Sequence, residues 1–210
     1  HLDPVRSGAW DERDTVEALA TGEVEIVSGM MSMAGEDYST IESIRRTGGL
    51  RPTERWRENL QAAQGNAALA QRLGLELVTF HAGFIPEEPG AERAEIIERL
   101  TIMRRVFGEC GVTIGLETGQ ESPEVLLAAI DEAHALVWDE RSGLGGAPEI
   151  GVNFDPANMI LYGSGDPLGA VRRLRARVVQ VHLKDARASG RAEDWGEEVA
   201  VGEGERAQEA

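Results

Sequence analysis

The chain has 210 residues, 41% of them hydrophobic, which is enough to bury the core of a single domain spanning residues 1–210. Its 37 acidic and 21 basic residues give a formal net charge of −16, which repels nucleic acid and anionic membrane surfaces. Single Cys110 cannot form an internal disulfide, and neither a membrane-spanning apolar run nor a secretory signal pattern is present. We therefore expect a cytoplasmic protein that binds neither nucleic acid nor membranes.

The first half of the chain alternates helical and strand patterns. Residues 11–20 predict a short helix, and residues 24–30 (VEIVSGM) predict a strand that leads into the polar segment 31–50. We expect this segment to be a structureless lid or binding loop, with plain disorder as the alternative. Apolar steps of three and four residues predict a helix from Pro52 to Gly74. A strand at 75–80 (LELVTF) and a helix at 91–107 follow.

The second half repeats this alternation. The runs 112–116 (VTIGL), 149–155 (EIGVNFD) and 178–183 (VVQVHL) predict strands. Ser122-Pro123 and Asp166-Pro167 each predict a helix start, with a capping side chain followed by proline at the first helical position. Because alternating strands and helices indicate a parallel sheet, and these strands are almost continuously apolar, we expect both sheet faces to be covered. A (β/α)₈ barrel and a doubly wound sheet both fit.

Three side chains with metal-binding groups each close an apolar run. Glu117 follows VTIGL, Asp155 follows EIGVNF and His182 follows VVQV, at separations of 38 and 27 residues. These separations are close to one strand–helix unit of ~30 residues, so the three belong to successive strands. Because the carboxyl ends of parallel strands converge, the side chains can meet around one divalent ion, Mn²⁺, Mg²⁺, Co²⁺ or Zn²⁺. Each residue alone is more often a capping or core group, and only the joint placement favours a metal site.

Other polar residues near strand ends have open interpretations. His81 ends the LELVTF strand and could orient a ligand or contact substrate, although the following glycine could also mark a close approach of the backbone. Strand alternation places Lys184 on the side of His182, where it either contacts an anionic or hydroxylated substrate or forms a surface salt bridge. His134, in the middle of a helix, is expected to face solvent. Cys110 is expected to have a packing role.

Several motifs together resemble the xylose isomerase-like TIM-barrel superfamily of sugar and sugar-phosphate isomerases and epimerases. TFHAG resembles the end of that family's fourth strand, IGLETG the fifth, NFDPANMILYGSGDP the sixth and VVQVHLKDA the seventh, and DWGEEVAVGEGE resembles the loop beyond. The resemblance covers most of the chain. It implies a (β/α)₈ barrel, one divalent ion held by Glu117, Asp155 and His182, and proton transfer at a carbon next to a sugar carbonyl.

Two features depart from the family pattern. The family's second metal-binding glutamate, at the end of the eighth strand, has no counterpart here, and residues 1–4 (HLDP) resemble the close of the second strand. We therefore expect an incomplete barrel without the first and eighth strands, and reduced or no activity from this chain alone. Asn158 stands where many relatives place a histidine. An amide can bind a substrate hydroxyl but cannot exchange protons near neutral pH.

For the complete protein the resemblance implies a sugar or sugar-phosphate isomerase or epimerase. Glu117 is expected to be both a ligand of the ion and the acid–base catalyst, while Asp155 and His182 hold the ion. Substrate contacts are expected from His81, Asn158 and Lys184. Three rivals remain: an inosose dehydratase-like lyase, a non-catalytic sugar-binding member, and an endonuclease IV-type enzyme, which the 4 histidines and the acidic charge disfavour. The sugar, its phosphorylation, the native metal and the formation of a homo-oligomer are left open.

Overall fold

The computed structural model describes residues 12–22, 25–136, 149–191 and 194–205. The strands of the main sheet are Gly29–Met30 (β1), Leu77–Phe80 (β2), Thr113–Glu117 (β3), Gly151–Phe154 (β4) and Val178–Val181 (β5). The helices are Glu12–Ala20 (α1), Ile41–Thr47 (α2), Trp56–Arg72 (α3), Ala91–Gly108 (α4), Pro123–Ala135 (α5), Pro156–Tyr162 (α6) and Pro167–Leu174 (α7), with a 3-10 turn at Thr53–Arg55. A two-stranded ribbon pairs Asp185–Arg187 (β6) with Glu197–Val199 (β7).

The five strands of the main sheet are parallel and lie side by side in chain order, β1-β2-β3-β4-β5. Glu117 is in register with Asn153, and Phe154 is in register with Val181. The carboxyl ends of β3, β4 and β5 therefore lie at one rim of the sheet, where ligand sites of such folds are built. The predicted alternation of parallel strands and helices is confirmed.

The core lies between the sheet and helices α3, α4 and α5. Phe80 from β2 and Phe107 from α4 are fully buried, with their rings stacked at 6.5 Å between centroids. Leu116 from β3 and Ile130 from α5 complete the same apolar layer. The apolar steps read from the sequence are thus the buried faces of these helices, and Cys110 packs against this core as expected.

Both predicted helix starts are confirmed. The Ser122 hydroxyl accepts a hydrogen bond from the backbone N–H of Val125, and Pro123 opens α5. The Asp166 carboxylate accepts from two backbone N–H groups in the first turn of α7, which Pro167 opens. In each case the side chain satisfies donors that the helix itself leaves unpaired.

Two predictions for local structure are wrong, and one helix was not predicted. Of the predicted 24–30 strand, only Gly29–Met30 pairs with the sheet among the described residues. Segment 31–50 is not structureless, because it contains α2, which begins with a reciprocal cap between Thr40 and Ser43. Sequence analysis also missed α6, which starts directly after Asp155.

Two predictions for exposure are also wrong. Val179 and Val181 of β5 are 49% and 48% exposed, because β5 lies at the edge of the described sheet and pairs only with β4. His134 is half-buried, and its Nε2 accepts a hydrogen bond from the backbone N–H of Ile150 at 3.0 Å. The prediction for residues 1–4 lies outside the described residues. Within the described part, none of the helices has the length and apolar character needed to cross a membrane.

Candidate metal centre

Glu117, Asp155 and His182 meet at the rim formed by the ends of β3, β4 and β5. His182 Nδ1 lies 3.0 Å from Asp155 Oδ2 and 3.4 Å from Glu117 Oε1. All three ligand atoms lie within 4.8 Å of one another. Asp155 is fully buried and the Glu117 side chain is 4% exposed, whereas His182 is 26% exposed. The structure therefore brings together the three residues predicted as ligands.

Asp155 is held in place because its two carboxylate oxygens have different partners. Oδ1 caps α6 by accepting from the backbone N–H of Asn158 at 2.9 Å, which leaves Oδ2 for His182. The backbone of Asp155 is tied to β3 through Thr118, whose hydroxyl accepts from Asp155 N at 2.8 Å. The Asp-Pro sequence that begins α6 thus also fixes the orientation of the ligand.

The three groups shift one another's pKa values. The hydrogen bond with Asp155, followed by the hydrogen bond with Glu117, raises the pKa of His182 from 6.5 to about 9. Burial works against ionisation of Glu117 and Asp155, but the hydrogen bond from His182 and the neighbouring cations outweigh it and hold both carboxyl pKa values below their usual range. Without an ion, the centre at neutral pH is therefore two carboxylates around one imidazolium.

The donor set fits a divalent cation. Two ligands at right angles, each ~2.1 Å from an ion, lie about 3 Å apart, close to the His182–Asp155 separation. Glu117 Oε2 is buried without a hydrogen-bond partner, as expected of an oxygen that needs a cation. Oxygen and imidazole ligands suit Mg²⁺, Mn²⁺, Co²⁺ and Zn²⁺. Because His182 must lose its proton to bind metal, an ion and that proton would compete for the same nitrogen.

The residues predicted to contact substrate surround the same centre. Asn158 Nδ2 donates to Glu117 Oε1 at 2.8 Å, and His81 Nε2 lies 3.7 Å from that oxygen. Lys184 Nζ lies 3.6 Å from Asp155 Oδ2 and also forms an ion pair with Glu198 at 3.2 Å. Both interpretations of Lys184 therefore remain open, since it reaches the centre and also pairs with a surface carboxylate.

A cavity of about 460 Å³ opens onto this centre, within the usual range for small-molecule sites. Its wall includes Glu117, His81, Asn158 and Lys184 from the predicted set. Sequence analysis did not place the remaining polar and aromatic wall residues, which are Ser32, Glu36, Tyr38, Tyr162 and Trp195. Glu36 and Tyr38 come from the segment predicted as a binding loop, so their signal was present. Nothing in the sequence indicated that Tyr162 and Trp195 would meet.

A parallel α/β fold with two acids and a histidine at adjacent strand ends is typical of barrel proteins that build their ligand site at the carboxyl ends of the strands. A family model described as xylose isomerase-like TIM barrel matches residues 8–208. The chain belongs to the xylose isomerase-like TIM barrel family. The predicted fold class, a (β/α)₈ barrel that is incomplete in this chain, is confirmed, with five parallel strands among the described residues.

Solved structures agree with this assignment. A xylose isomerase domain protein from Planctomyces limnophilus superposes with a TM-score of 0.83 at 30% identity, covering 94% of this chain and 68% of that protein. A probable 3-DHS dehydratase, AsbF, from Bacillus anthracis has a TM-score of 0.63 at 16% identity, covering 92% and 66%. An L-ribulose 3-epimerase has a TM-score of 0.63 at 16% identity, covering 88% and 58%. No curated protein sequence matches the chain.

Proposed function

We propose that this chain belongs to a divalent-metal-dependent sugar isomerase or epimerase that removes a proton next to a carbonyl group. The observation that carries the proposal is the position of Glu117, which is both a member of the Glu117–Asp155–His182 cluster and part of the cavity wall. A carboxylate placed there can hold the ion and reach a bound substrate. The epimerase named among the similar folds supports the same reaction class.

In this proposal Glu117, Asp155 and His182 hold the ion. When bound, it supplies positive charge beside the substrate carbonyl, which stabilises the developing enediolate. Glu117 accepts the proton, because its low pKa keeps it a carboxylate at neutral pH. Asn158 orients Glu117 by donating to Oε1, and burial of the cluster limits access of bulk water.

The other predicted side chains bind the sugar. His81 and Lys184 line the cavity and carry polar nitrogens within reach of substrate hydroxyls. Lys184 also holds positive charge near Asp155, which favours the carboxylate form of that ligand. Asn158 offers an amide to a hydroxyl but takes no part in proton exchange.

Solvent exchange tests the reaction class. The Mg²⁺- or Mn²⁺-loaded chain is incubated in D₂O with a panel of ketoses and aldoses, and deuterium at the carbon next to the carbonyl is measured by NMR. Glu117→Gln should lose at least 100-fold in exchange rate. Glu124→Gln, an exposed carboxylate on α5, is the matched control and should exchange normally.

The same samples separate the alternatives. A product lighter by one water would replace the isomerase proposal with a lyase. Tight binding of a sugar without any deuterium uptake would identify a non-catalytic member. Metal content is measured separately by elemental analysis and by calorimetric titration, in which Asp155→Asn should weaken ion binding by at least 100-fold. An unchanged ion affinity in that variant would refute the metal centre.

A further inference from the structure

The cavity above the Glu117–Asp155–His182 cluster has an aromatic corner at its outer wall. The rings of Tyr162, at the end of α6, and Trp195, between β6 and β7, meet edge to face at 5.1 Å and 75°. Trp195 Nε1 donates to the backbone carbonyl of Tyr38 at 3.1 Å, which joins the two loops that flank the opening. The ring contact and this hydrogen bond together hold the Trp195 side chain in place without a ligand.

The charged side chains of the described wall are mostly acidic. Glu36 and Glu117 bring two carboxylates, and Glu36 is held by the backbone N–H groups of Met33 and Gly49 at 3.1 Å each. The ammonium of Lys184 is already shared between two carboxylates. Its positive charge is thus offset before a ligand enters.

The usual phosphate-binding devices are missing from the described wall. Proteins hold phosphate with clustered arginine and lysine or with the free N-terminus of a helix. Arg45 lies over the ring of Phe84, 4.8 Å from its centroid, and does not line the cavity. The first turn of α6, next to the cluster, is capped by the protein's own Asp155. Apart from the ion itself, a phosphate with a charge of about −2 would therefore meet carboxylates and no unshared cation in the described wall.

An uncharged sugar fits the same surfaces. The C–H-bearing face of a sugar ring packs on the negative face of an aromatic ring, and Tyr162 and Trp195 place two such rings in the cavity wall. The carboxylate oxygens of Glu36 accept two backbone hydrogen bonds and one from the Tyr38 hydroxyl, and they retain lone pairs that can accept from a sugar hydroxyl. We propose, on the basis of the proposed function, that this cavity selects an unphosphorylated sugar, which packs on Trp195 and Tyr162 while its hydroxyls contact Glu36.

Paired ligands test the proposal on the 210-residue chain loaded with Mg²⁺. Dissociation constants are measured by calorimetry for ketohexoses and aldohexoses and for their 6-phosphates, with inorganic phosphate as a control for attraction by the ion itself. The free sugar should bind at least about tenfold tighter than its phosphate ester at low salt. The difference between the two dissociation constants should be smaller in 0.5 M NaCl, because salt screens the charge repulsion of the phosphate. An ester that binds as tightly as its free sugar, or more tightly, would overturn the proposal.

Variants of Trp195 distinguish its role as an aromatic surface for the sugar from its role as a hydrogen-bond donor to the Tyr38 backbone. Trp195→Ala should weaken free-sugar binding about tenfold, whereas Trp195→Phe keeps a ring face while losing the hydrogen bond to Tyr38 and should bind nearly normally. Equal losses in both variants would assign Trp195 to loop structure and contradict the stacking role. The comparison of free sugar with ester needs no variant, so it stands even if a substitution impairs folding.

Deuterium exchange in the same samples distinguishes the two proposals. If the phosphate esters bind more tightly and their α-protons exchange, the isomerase assignment stands and the preference for uncharged sugars is wrong. If neither ligand series binds or exchanges, both proposals fail. If free sugars bind preferentially but no proton exchanges, the selectivity stands and the catalytic assignment fails.

Discussion

Asp155→Asn separates the metal-centre role of this residue from its role as a helix cap. Asparagine caps helices as well as aspartate does, so the Oδ1 hydrogen bond to Asn158 and the start of α6 should survive. What the variant loses is the charge on Oδ2 that faces His182. In the metal-free protein we therefore expect a loss of stability that depends on the protonation of His182.

The size and sign of this effect follow from the pKa of His182. A rise from 6.5 to about 9 corresponds to about 3 kcal/mol of stability. Asp155 is the larger of two contributors, so we assign it roughly 2 kcal/mol. Because the folded-state pKa lies above the unfolded value, this stability is fully present below pH 6.5 and is lost as the pH rises through about 9.

Urea unfolding of chelator-treated protein at pH 6 and pH 10 provides the assay. The variant should be about 2 kcal/mol less stable than the parent at pH 6, and the difference should vanish or change sign at pH 10. Asp166→Asn is the matched control, since Asp166 also caps a helix that opens with proline but does not contact the cluster's histidine. A difference between parent and Asp155→Asn that is the same at both pH values would refute the assignment of charge pairing to His182.

Three further predictions concern other parts of the molecule. Ion binding should release a proton below pH 9, so the apparent affinity should rise with pH up to about 9, measured by calorimetry in buffers of different ionisation enthalpy. Arg99→Leu should cost about 3 kcal/mol in urea unfolding, because the buried guanidinium donates to two backbone carbonyls before α3, whereas exposed Arg173→Leu should cost less than about 0.5 kcal/mol. Burial opposes ionisation of Asp185, but three backbone N–H donors outweigh it and lower the pKa of its carboxyl group. The stability that these hydrogen bonds contribute is present above pH 3.8 and is lost as the pH falls through the lower pKa of the folded state. Asp185→Asn removes the charge that strengthens these hydrogen bonds and should therefore speed hydrogen exchange in the β6–β7 ribbon.

The cluster could be predicted from the sequence because a simple rule governs parallel sheets. Each predicted ligand ends or follows a strand, and neighbouring strands bring their carboxyl ends to one rim, so position along the chain translates into position in space. Glu117, Asp155 and His182 obeyed this rule, as did the two helix starts marked by capping side chains and proline. Both the strand-end rule and the helix-start signals are local, so they can be applied without knowledge of tertiary contacts.

The features missed by sequence analysis depend on contacts between distant residues. The β6–β7 ribbon is organised by Asp185, whose carboxylate accepts from the backbone of Gly202 and Gly204, and no local pattern shows this pairing. The aromatic corner joins Tyr162 with Trp195 across two loops. Helix α6 is the exception, because its signal is local: Asp155 was interpreted as the last residue of a strand, whereas it is also the cap of the helix that follows.

The two carboxylate oxygens of Glu117 have different surroundings. Asn158 and His182 lie 2.8 and 3.4 Å from Oε1, whereas Oε2 is buried without a hydrogen-bond partner. A carboxylate held through one oxygen has a fixed plane, so its second oxygen points in a defined direction at little entropic cost. In the proposed reaction, the fixed oxygen serves orientation and the unpaired oxygen is the one left to interact with the ion or the transferred proton. Replacing Asn158 with leucine should therefore slow proton transfer, because it removes the hydrogen bond that orients Glu117, and should also weaken sugar binding, because it removes an amide from the cavity wall.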